Sequence, residues 1–192
     1  MSRIVAGRAG GRSVSTPKGA QTRPTTDRVR ESAFQLIADW AGTAGEAGAD
    51  MLDRFSFLDL YAGSGAVALE AASRGAAPVV AVEKDRRVAA LIRENARTTE
   101  LPVVVRAAAV KDYLAGAATR FDIVWLDPPY VLSDRVVASV VAAVASRWLA
   151  SDGLVVVERS ARTGEVSWPS ILGNRWSRRY GETMLFMATQ EM

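Results

Sequence analysis

The stretch Asp127-Pro128-Pro129-Tyr130 combines residue types that are suited to holding one small polar group. It follows the apolar run FDIVWL, residues 121–126, which predicts a buried strand. Proline donates no backbone N–H and fixes its own φ, so the two prolines end the strand and stiffen its exit. One interpretation is a strand end with an incidental tyrosine. The other is a rigid turn that places a carboxylate, a prolyl carbonyl and an aromatic ring around one target.

A second group of candidates surrounds the end of an earlier predicted strand. Gly63-Ser64-Gly65 turns the chain from strand to helix, and glycine there lets the backbone approach a ligand at the helix N-terminus. Asp59 lies four residues before Gly63, and Glu83 lies 20 residues after it. An acid at the next strand end can accept hydrogen bonds from both hydroxyls of a ribose. The two strand ends therefore predict a nucleoside pocket.

This spacing leaves two kinds of cofactor open. Gly63-x-Gly65-x-x-Ala68 with a downstream acid satisfies the loose dinucleotide pattern, which favours a NAD-dependent enzyme. S-adenosylmethionine fits two other features better. The carboxylate of Asp59 suits a cationic amino acid group, and no set of Lys, Tyr or His residues for hydride transfer accompanies the glycines. In that case the ribose meets Glu83 and the methionine end meets the loop 59–65.

These candidates require a parallel sheet that brings them to one edge. Short apolar runs predict strands near 56–60, 79–83, 102–106, 121–126 and 154–158, and the stretches near 65–74, 85–98, 108–116 and 133–150 predict helices. This alternation is typical of an α/β fold with helices on both faces of the sheet, whose strand carboxyl ends bind the ligand. Two more strands, meeting at Gly181-Glu182, predict a closing antiparallel hairpin.

The N-terminal part of the chain differs in pattern from the rest. Apolar residues at 29, 33, 36, 37 and 40 predict a helix that begins near residue 26 with Thr or Asp as its N-cap, and residues 41–50 predict a loop. We therefore expect a basic extension over residues 1–25, with a short hairpin as one conformation, and a second domain over residues 26–192.

Composition excludes several classes of protein. The 192 residues include no cysteine and no histidine, which excludes a disulfide scaffold, a Cys/His zinc site, a Ser-His-Asp triad and a cysteine nucleophile. We expect no metal. No apolar run approaches the roughly 20 residues needed to cross a bilayer, and the N-terminus does not resemble a signal peptide. These features predict a soluble, cytoplasmic protein that is not bound to a membrane.

Positive charge is concentrated at the N-terminus. Residues 1–30 have a net charge of +6, whereas the remaining 162 residues have a net charge of −3. Such a segment favours a polyanion as partner, since its cations can neutralise phosphates. The candidate RNA contacts are Arg3, Arg8, Arg12, Lys18, Arg23, Arg28 and Arg30. Two alternatives stay open: a flexible solvated terminus, and Arg28, Arg30 and Glu31 on the polar face of the predicted helix.

Several runs of the sequence resemble one known family over nearly the whole chain. They are RIVAGRAGGR (3–12), TRPTTDRVRESAFQLI (22–37), DLYAGSGAVALEAASRGA (59–76), AVEKD (81–85), FDIVWLDPPY (121–130) and YGETML (180–185). They are similar to the RsmD-type 16S rRNA (guanine-N2)-methyltransferases, which modify position 966. The resemblance implies a Rossmann-like class I S-adenosylmethionine-dependent methyltransferase with a mostly parallel seven-stranded sheet. It also implies a monomer that acts on 16S rRNA, within a particle of small-subunit assembly.

The resemblance also implies the roles of individual residues. The catalytic residues are Asp127, Pro128, Pro129 and Tyr130, and the cofactor contacts are Asp59, Tyr61, Ala62, Gly63, Ser64, Gly65, Glu83, Lys84, Ala109, Val110 and Asp127. The stretch RAAAVKDYL, residues 106–114, departs from many relatives because it lacks an acid near the adenine. If the pocket otherwise has the form that the resemblance implies, backbone groups recognise the adenine there.

The chemistry of the tetrad follows from the weak nucleophilicity of a base amine, whose lone pair is delocalised into the ring. Two acceptors, the Asp127 carboxylate and the Pro128 carbonyl, would favour a pyramidal nitrogen aimed at the methyl donor. Tyr130 offers a face for an unstacked base. Two other functions are open: an adenine-N6 methyltransferase acting on DNA or RNA, which shares the tetrad, and a non-catalytic RNA-binding protein.

Overall fold

The computed structural model describes residues 2–17 and 26–190, so Lys18 and Arg23 lie outside the described residues. A hairpin pairs β1 (Ser2–Arg3) with β2 (Ser13–Val14). The other strands are β3 (Phe57–Leu60), β4 (Val79–Glu83), β5 (Val103–Ala107), β6 (Phe121–Leu126), β7 (Leu149–Ser160), β8 (Asn174–Tyr180) and β9 (Thr183–Thr189). They form a seven-stranded sheet in the order β5-β4-β3-β6-β7-β9-β8.

The strand directions in the sheet agree with the prediction. Strands β3 to β7 pair in parallel, whereas β9 runs antiparallel to both β7 and β8. The predicted α/β class, with a mostly parallel sheet closed by a C-terminal antiparallel hairpin, is confirmed.

Helices cover both faces of the sheet. They are α1 (Asp27–Ala41), α2 (Ala66–Ser73), α3 (Arg86–Thr99), α4 (Val110–Ala115) and α5 (Asp134–Ala143). The hairpin, α1, α2 and α3 pack on one face around Phe34, Phe57 and Trp125. Helices α4 and α5 pack on the other face, where Val124 and Trp148 belong to the core. Within the described ranges, none of the helices has the length and apolar character that a membrane crossing requires.

Helix α1 forms as its sequence predicts. The hydroxyl of Thr26 accepts a hydrogen bond from the N–H of Val29 at 3.3 Å, which caps the helix, and Gly42 ends it in the left-handed conformation. Its buried face contains Phe34 and Ile37. This face stacks on the sheet, where the rings of Phe34 and Phe57 lie 6.0 Å apart.

The helix predicted over residues 133–150 is too long. Helix α5 ends at Ala143, one π-helical turn follows over Val144–Trp148, and β7 already begins at Leu149. Leu149 pairs with Phe121, and a register shift separates this pair from the pairing of Ile123 with Leu154. The residues between Leu149 and Leu154 therefore form an irregularity within a strand, which an apolar pattern alone does not distinguish from a helix end.

The N-terminal segment is packed against the body of the protein. Its buried side chains, which belong to the main core, are Ile4, Ala9 and Val14. The carboxylate of Glu70 on α2 accepts the N–H groups of Val5 at 2.7 Å and Ala6 at 3.0 Å. The alternative of a flexible terminus is therefore wrong for residues 2–17, which the hydrophobic contacts and these hydrogen bonds hold in place.

Arg30 takes part in the same anchor, and its assignment as an RNA contact is wrong. Its side chain is 1% exposed, and its Nε donates to Glu70 at 3.4 Å while Nη2 donates to Asp27 at 2.9 Å and to the carbonyl of Arg3. Arg74, four residues after Glu70, donates to the same carboxylate at 2.8 Å. A buried guanidinium held by these acceptors is not available to a phosphate, and it does not lie on the polar face of α1 either.

Candidate active site

The two predicted groups of site residues meet at the carboxyl edge of the parallel strands. The chain winds outward from β3 in one direction and from β6 in the other, so the loops after these neighbouring strands open a crevice. The glycine loop follows β3, and Asp127-Pro128-Pro129-Tyr130 follows β6. The N–H of Asp127 donates to the carbonyl of Leu60 at 3.3 Å, which fixes the start of the tetrad against the end of β3.

The glycine loop has a backbone that favours glycine at two positions. Gly63 has φ +54° and Gly65 has φ +80°. A Cβ at Gly65 would lie 2.6 Å from Cγ2 of Ile92, whereas nothing lies within 4 Å of a Cβ at Gly63. Gly65 thus permits α2 and α3 to pack closely, and Gly63 leaves open space beside the loop.

Other predicted residues of the loop have structural partners. Tyr61 also has a positive φ, of 65°, and it is partly buried against the core. The N–H of Ala62 donates to the carbonyl of Val82 at 3.0 Å, and the carbonyl of Ser64 accepts from Asn95 at 3.1 Å. These bonds tie the loop to β4 and α3, so its shape is fixed by the protein itself.

Glu83, at the end of β4, connects two turns. Its carboxylate accepts the N–H of Gly63 at 3.0 Å and the N–H of Asp85 at 2.9 Å. The side chain is half-buried, and Lys84 beside it is exposed. A carboxylate has about four lone-pair sites, so these two bonds leave acceptor capacity for hydroxyl groups of a ligand.

The turn after β5 lies next to Glu83. The N–H of Ala108 donates to the Glu83 carbonyl at 3.0 Å, and Ala109 is the N-terminal cap of α4, without a side-chain cap bond. Val110 is buried. The predicted positions Ala109 and Val110 are therefore close to the ribose candidate, on the next strand end of the sheet.

Asp59, near the end of β3, is a buried residue that contacts α2. It is 1% exposed, and its carboxylate accepts the N–H of Ala68 in the first turn of α2 at 3.1 Å. Loss of hydration raises the pKa of Asp59 to about 8, and the negative charges of Glu83 and Glu158 add to the increase. In this structure Asp59 is buried and braces α2, and its predicted contact with the cationic amino acid group of the cofactor stays a prediction.

The pKa of Asp59 makes the stability of the protein depend on pH. An unfolded aspartate ionises near pH 4, whereas the folded one keeps its proton up to about pH 8, so the folded state binds more protons between these values. We expect the free energy of unfolding to fall as pH rises from 4 to 8, by at most about 1.4 kcal/mol per pH unit from this group. Asp59→Asn should flatten that decline in urea titrations at pH 5 and pH 8. An equal decline in the variant would contradict the assignment.

Asp127 belongs to a group of three carboxylates. Loss of hydration raises its pKa well above the usual value, and the charges of Glu158 and Asp59 raise it further, whereas Arg159 opposes the shift. Asp127 is half-buried and Glu158 is 4% exposed. Among residues 2–17 and 26–190, no group of three or more Asp, Glu, His or Cys side chains is placed to hold a metal ion.

A cleft of about 700 Å³ opens beside the tetrad, and Tyr130, which is 50% exposed, lines it. Its other lining residues come from the start of α1, the end of β7 and the tip of the β8–β9 hairpin. They include the cations Arg28, Arg162 and Arg179, and also Glu158 and Tyr180. The volume is that of a small-ligand site. Its lining combines three arginines with two acids, of which Glu182 pairs with Arg162 at 3.1 Å.

Glu158 and the hairpin tip were not among the predicted site residues. Glu158 lies near the carboxyl end of a buried strand, as Asp59, Glu83 and Asp127 do, so the same rule identifies it. The signal for Tyr180 is weaker. It precedes the turn glycine of a hairpin, and only the folded sheet places that hairpin beside β7.

The exposed basic candidates lie in three different parts of the structure. Arg3 and Arg28 are exposed and line a second cavity of about 350 Å³, next to the start of α1. Arg8 is exposed in the hairpin turn, where its N–H donates to the carbonyl of Ser73 at the far end of α2. Arg12 donates to Glu100 at 2.9 Å and to the carbonyl of Thr99.

The fold and the site together define the class of protein. A sheet of this order, with a glycine turn after β3, an acid at the end of β4 and an Asp-Pro-Pro-Tyr turn after β6, is that of a Rossmann-like class I S-adenosylmethionine-dependent methyltransferase. The chain belongs to the family described as Conserved hypothetical protein 95, whose model matches residues 2–189. The resemblance to the RsmD-type methyltransferases is confirmed, and S-adenosylmethionine is the cofactor of this class.

Individual relatives agree with this assignment. Ribosomal RNA small subunit methyltransferase D of Escherichia coli is 34% identical over 170 residues, which cover 88% of this chain and 79% of the relative. A hypothetical protein of Thermus thermophilus has a similar structure, with a TM-score of 0.80 and 32% identity over 98% of this chain and 99% of the other. An RNA methyltransferase of Salinibacter ruber, solved with S-adenosyl-L-homocysteine, shares the fold, with a TM-score of 0.63 and 16% identity over 88% of this chain and 95% of the other.

Proposed function

We propose that this protein methylates ribosomal RNA and transfers the methyl group of S-adenosylmethionine to the exocyclic N2 of one guanine in 16S rRNA. The single observation behind the proposal is the fixed Asp-Pro-Pro-Tyr turn at the carboxyl edge, beside a cleft whose lining includes three arginines and two acids. Relatives named as small-subunit rRNA methyltransferases support the choice of RNA. The choice of guanine N2 rests on the similarity of the motifs.

In this mechanism the residues of the turn position and polarise the amine. The Asp127 carboxylate and the Pro128 carbonyl accept its N–H bonds, so the nitrogen lone pair is directed away from the ring. Pro128 and Pro129 keep the turn rigid, and the exposed ring of Tyr130 stacks on the unpaired base. The nitrogen that gains a methyl group becomes cationic and acidic, and it passes one proton along the hydrogen bond to the Asp127 carboxylate, so no strong base is needed.

The residues of the glycine loop and the two neighbouring strand ends fit S-adenosylmethionine. Open space beside Gly63 admits a close ligand, and Glu83 retains acceptor capacity for the ribose hydroxyls. Ala109 and Val110 would border the adenine, Lys84 lies exposed beside the ribose acid, and Asp59 braces α2, which follows the loop. The cofactor, when bound, supplies an electrophilic methyl group on its sulfonium.

Two glycine variants separate cofactor approach from packing. Gly63→Ala should weaken binding of S-adenosylmethionine about tenfold or more and leave the protein folded, because its Cβ enters open space at a modest cost for positive φ. Gly65→Ala should instead lower the melting temperature, because its Cβ meets Ile92. Calorimetric titration and thermal unfolding of both variants are the measurements. Normal cofactor affinity in Gly63→Ala would remove this loop from the cofactor site.

The proposed RNA surface includes exposed arginines of the N-terminal extension and α1. Neutralising Arg3 and Arg28 together should lower RNA affinity and flatten its salt dependence by up to about 1.4 units, at roughly 0.7 per phosphate contact for a single strand. The matched control is Arg54→Gln with Arg120→Gln, which lie before β3 and β6 at the opposite edge of the sheet. Equal effects of the two double variants in filter-binding titrations would argue against a localised RNA surface. Deleting the extension is unsuitable, because it removes core side chains.

The proposed reaction is tested by product analysis. The protein is incubated with labelled S-adenosylmethionine and, separately, naked 16S rRNA, small-subunit particles and DNA, and the labelled nucleosides are then identified. N2-methylguanosine in 16S rRNA is the expected product. N6-methyladenosine would favour the alternative adenine-N6 activity, and no product with any substrate would favour a non-catalytic RNA-binding protein.

Several features of the proposed function remain predictions. They are the location in the cytoplasm, the monomeric state, the assembly particle as partner, and the boundary between an extension over residues 1–25 and the methyltransferase domain over residues 26–192. The proposal gives Arg3 and Arg28 the role of phosphate contacts, together with Lys18 and Arg23. The same role for Arg8 and Arg12, whose partners Ser73 and Glu100 lie at the C-terminal ends of α2 and α3, stays a prediction.

A further inference from the structure

Glu158 is a buried acid that the mechanism above does not use. Val157 pairs with Leu126 in the parallel register of β7 and β6, so the next residues on these strands, Glu158 and Asp127, lie side by side. Neighbouring strands are about 4.8 Å apart, and side chains in one row of a sheet point to the same face. The effect of Glu158 on the pKa of Asp127 agrees with this proximity.

Glu158 also faces the space where a base would lie. It is 4% exposed, yet it lines the same cleft as Tyr130, Val29 and Tyr180. A base stacked on Tyr130 with its amine at Asp127 would therefore present the neighbouring part of its edge to β7. Two carboxylates in a row then offer two adjacent hydrogen-bond acceptors to one base edge.

Guanine and adenine differ at N1, the ring nitrogen next to the carbon that bears the amine. In guanine the N2 amine lies beside N1–H, so two adjacent groups donate hydrogen bonds in one direction. In adenine the N6 amine lies beside a bare N1, which only accepts. A carboxylate next to Asp127 would bind the N1–H of guanine, and it would repel the N1 lone pair of adenine.

We propose that Glu158 accepts a hydrogen bond from the guanine N1–H while Asp127 holds the N2 amine, so that Glu158 selects guanine over adenine. This inference rests on the proposed guanine-N2 activity and assigns its base specificity to one residue. A guanine paired in this way is held at two points of one edge, which also orients its N2 toward the glycine loop.

The test compares two bases in two forms of the enzyme. 16S rRNA is prepared by ligation with guanine or 2-aminopurine at the methylated position. Both bases have the N2 amine, but N1 of 2-aminopurine bears no hydrogen. The wild type should methylate guanine about 100-fold faster than 2-aminopurine, measured as kcat/KM. In Glu158→Gln that ratio should fall at least about tenfold, because the amide can donate to a bare N1.

Controls separate this inference from the proposed function and from misfolding. Glu165→Gln, an exposed acid in the β7–β8 connection, should keep the wild-type ratio, and thermal unfolding with cofactor titration should show that Glu158→Gln is folded. If the wild type forms no N2-methylguanosine, the proposed function fails. If it does form that product but methylates 2-aminopurine equally well, or if Glu158→Gln keeps the wild-type ratio, only the role of Glu158 is overturned.

Discussion

Asp127→Ala should slow methyl transfer by about 100-fold or more while affinity for S-adenosylmethionine stays within a few fold of the wild type. The side chain is an acceptor for the base amine in the proposed reaction, and the contacts that shape the glycine loop come from Glu83, Val82 and Asn95 instead. Single-turnover rates and calorimetric titration measure the two quantities separately. A near-normal rate in the alanine variant would refute the role of Asp127.

Asp127→Asn is the matched variant, since it keeps an oxygen acceptor of the same shape and removes the charge. It should be slowed less than Asp127→Ala. Burial and neighbouring acids raise the pKa of Asp127, so the wild-type rate should increase as rising pH ionises the carboxyl group. That increase should be smaller in the asparagine variant, and identical pH profiles would show that the ionisation of Asp127 has no part in the reaction.

Glu70→Ala should lower the free energy of unfolding by about 3–5 kcal/mol, the range for removing one partner of a buried ion pair. Its carboxylate accepts from Val5, Ala6, Arg30 and Arg74, and the two arginines would be left buried beside a cavity. Typical domains have about 5–15 kcal/mol of stability, so this loss is a large part of the total. Urea unfolding followed by circular dichroism is the measurement.

Glu94→Ala is the control for this effect. Glu94 pairs with Arg97 on the exposed side of α3 at 2.7 Å, and exposed pairs of this kind add little to stability because solvent screens the two charges. Each variant removes a glutamate side chain that pairs with an arginine three or four residues later. The difference between their losses in free energy of unfolding therefore measures the effect of burial. A loss in Glu70→Ala no larger than that in Glu94→Ala would show that the anchor is not a source of stability.

The loops that contain the candidate site residues could be predicted from the sequence because short local patterns specify them. Gly63 and Gly65 follow an apolar strand and precede a helix, Glu83 ends the next strand, and two prolines end β6. The parallel sheet then brings these positions to one edge without any further information. The same rule locates Glu158, which only required that every strand end be considered.

The buried charges could be predicted only in part. Arg30 lies three, four and seven residues before Ala33, Phe34 and Ile37, so helical periodicity already places it on the buried face of α1. One of its acceptors, Glu70, lies 40 residues away on another helix. No local pattern predicts that pairing, because it depends on how α1 and α2 pack across the sheet.

The anchoring of the N-terminal hairpin has a consequence for the order in which the chain folds during synthesis. The hairpin leaves the ribosome well before its partners: Glu70 comes 65 residues after Val5, Asn95 comes 80 residues after Ser15, and Glu100 comes 88 residues after Arg12. Docking therefore has to wait until α2 and α3 have been made. Until residue 100 is synthesised, the growing chain presents its most basic segment without the full set of acids and hydrophobic surface that holds it in the finished protein.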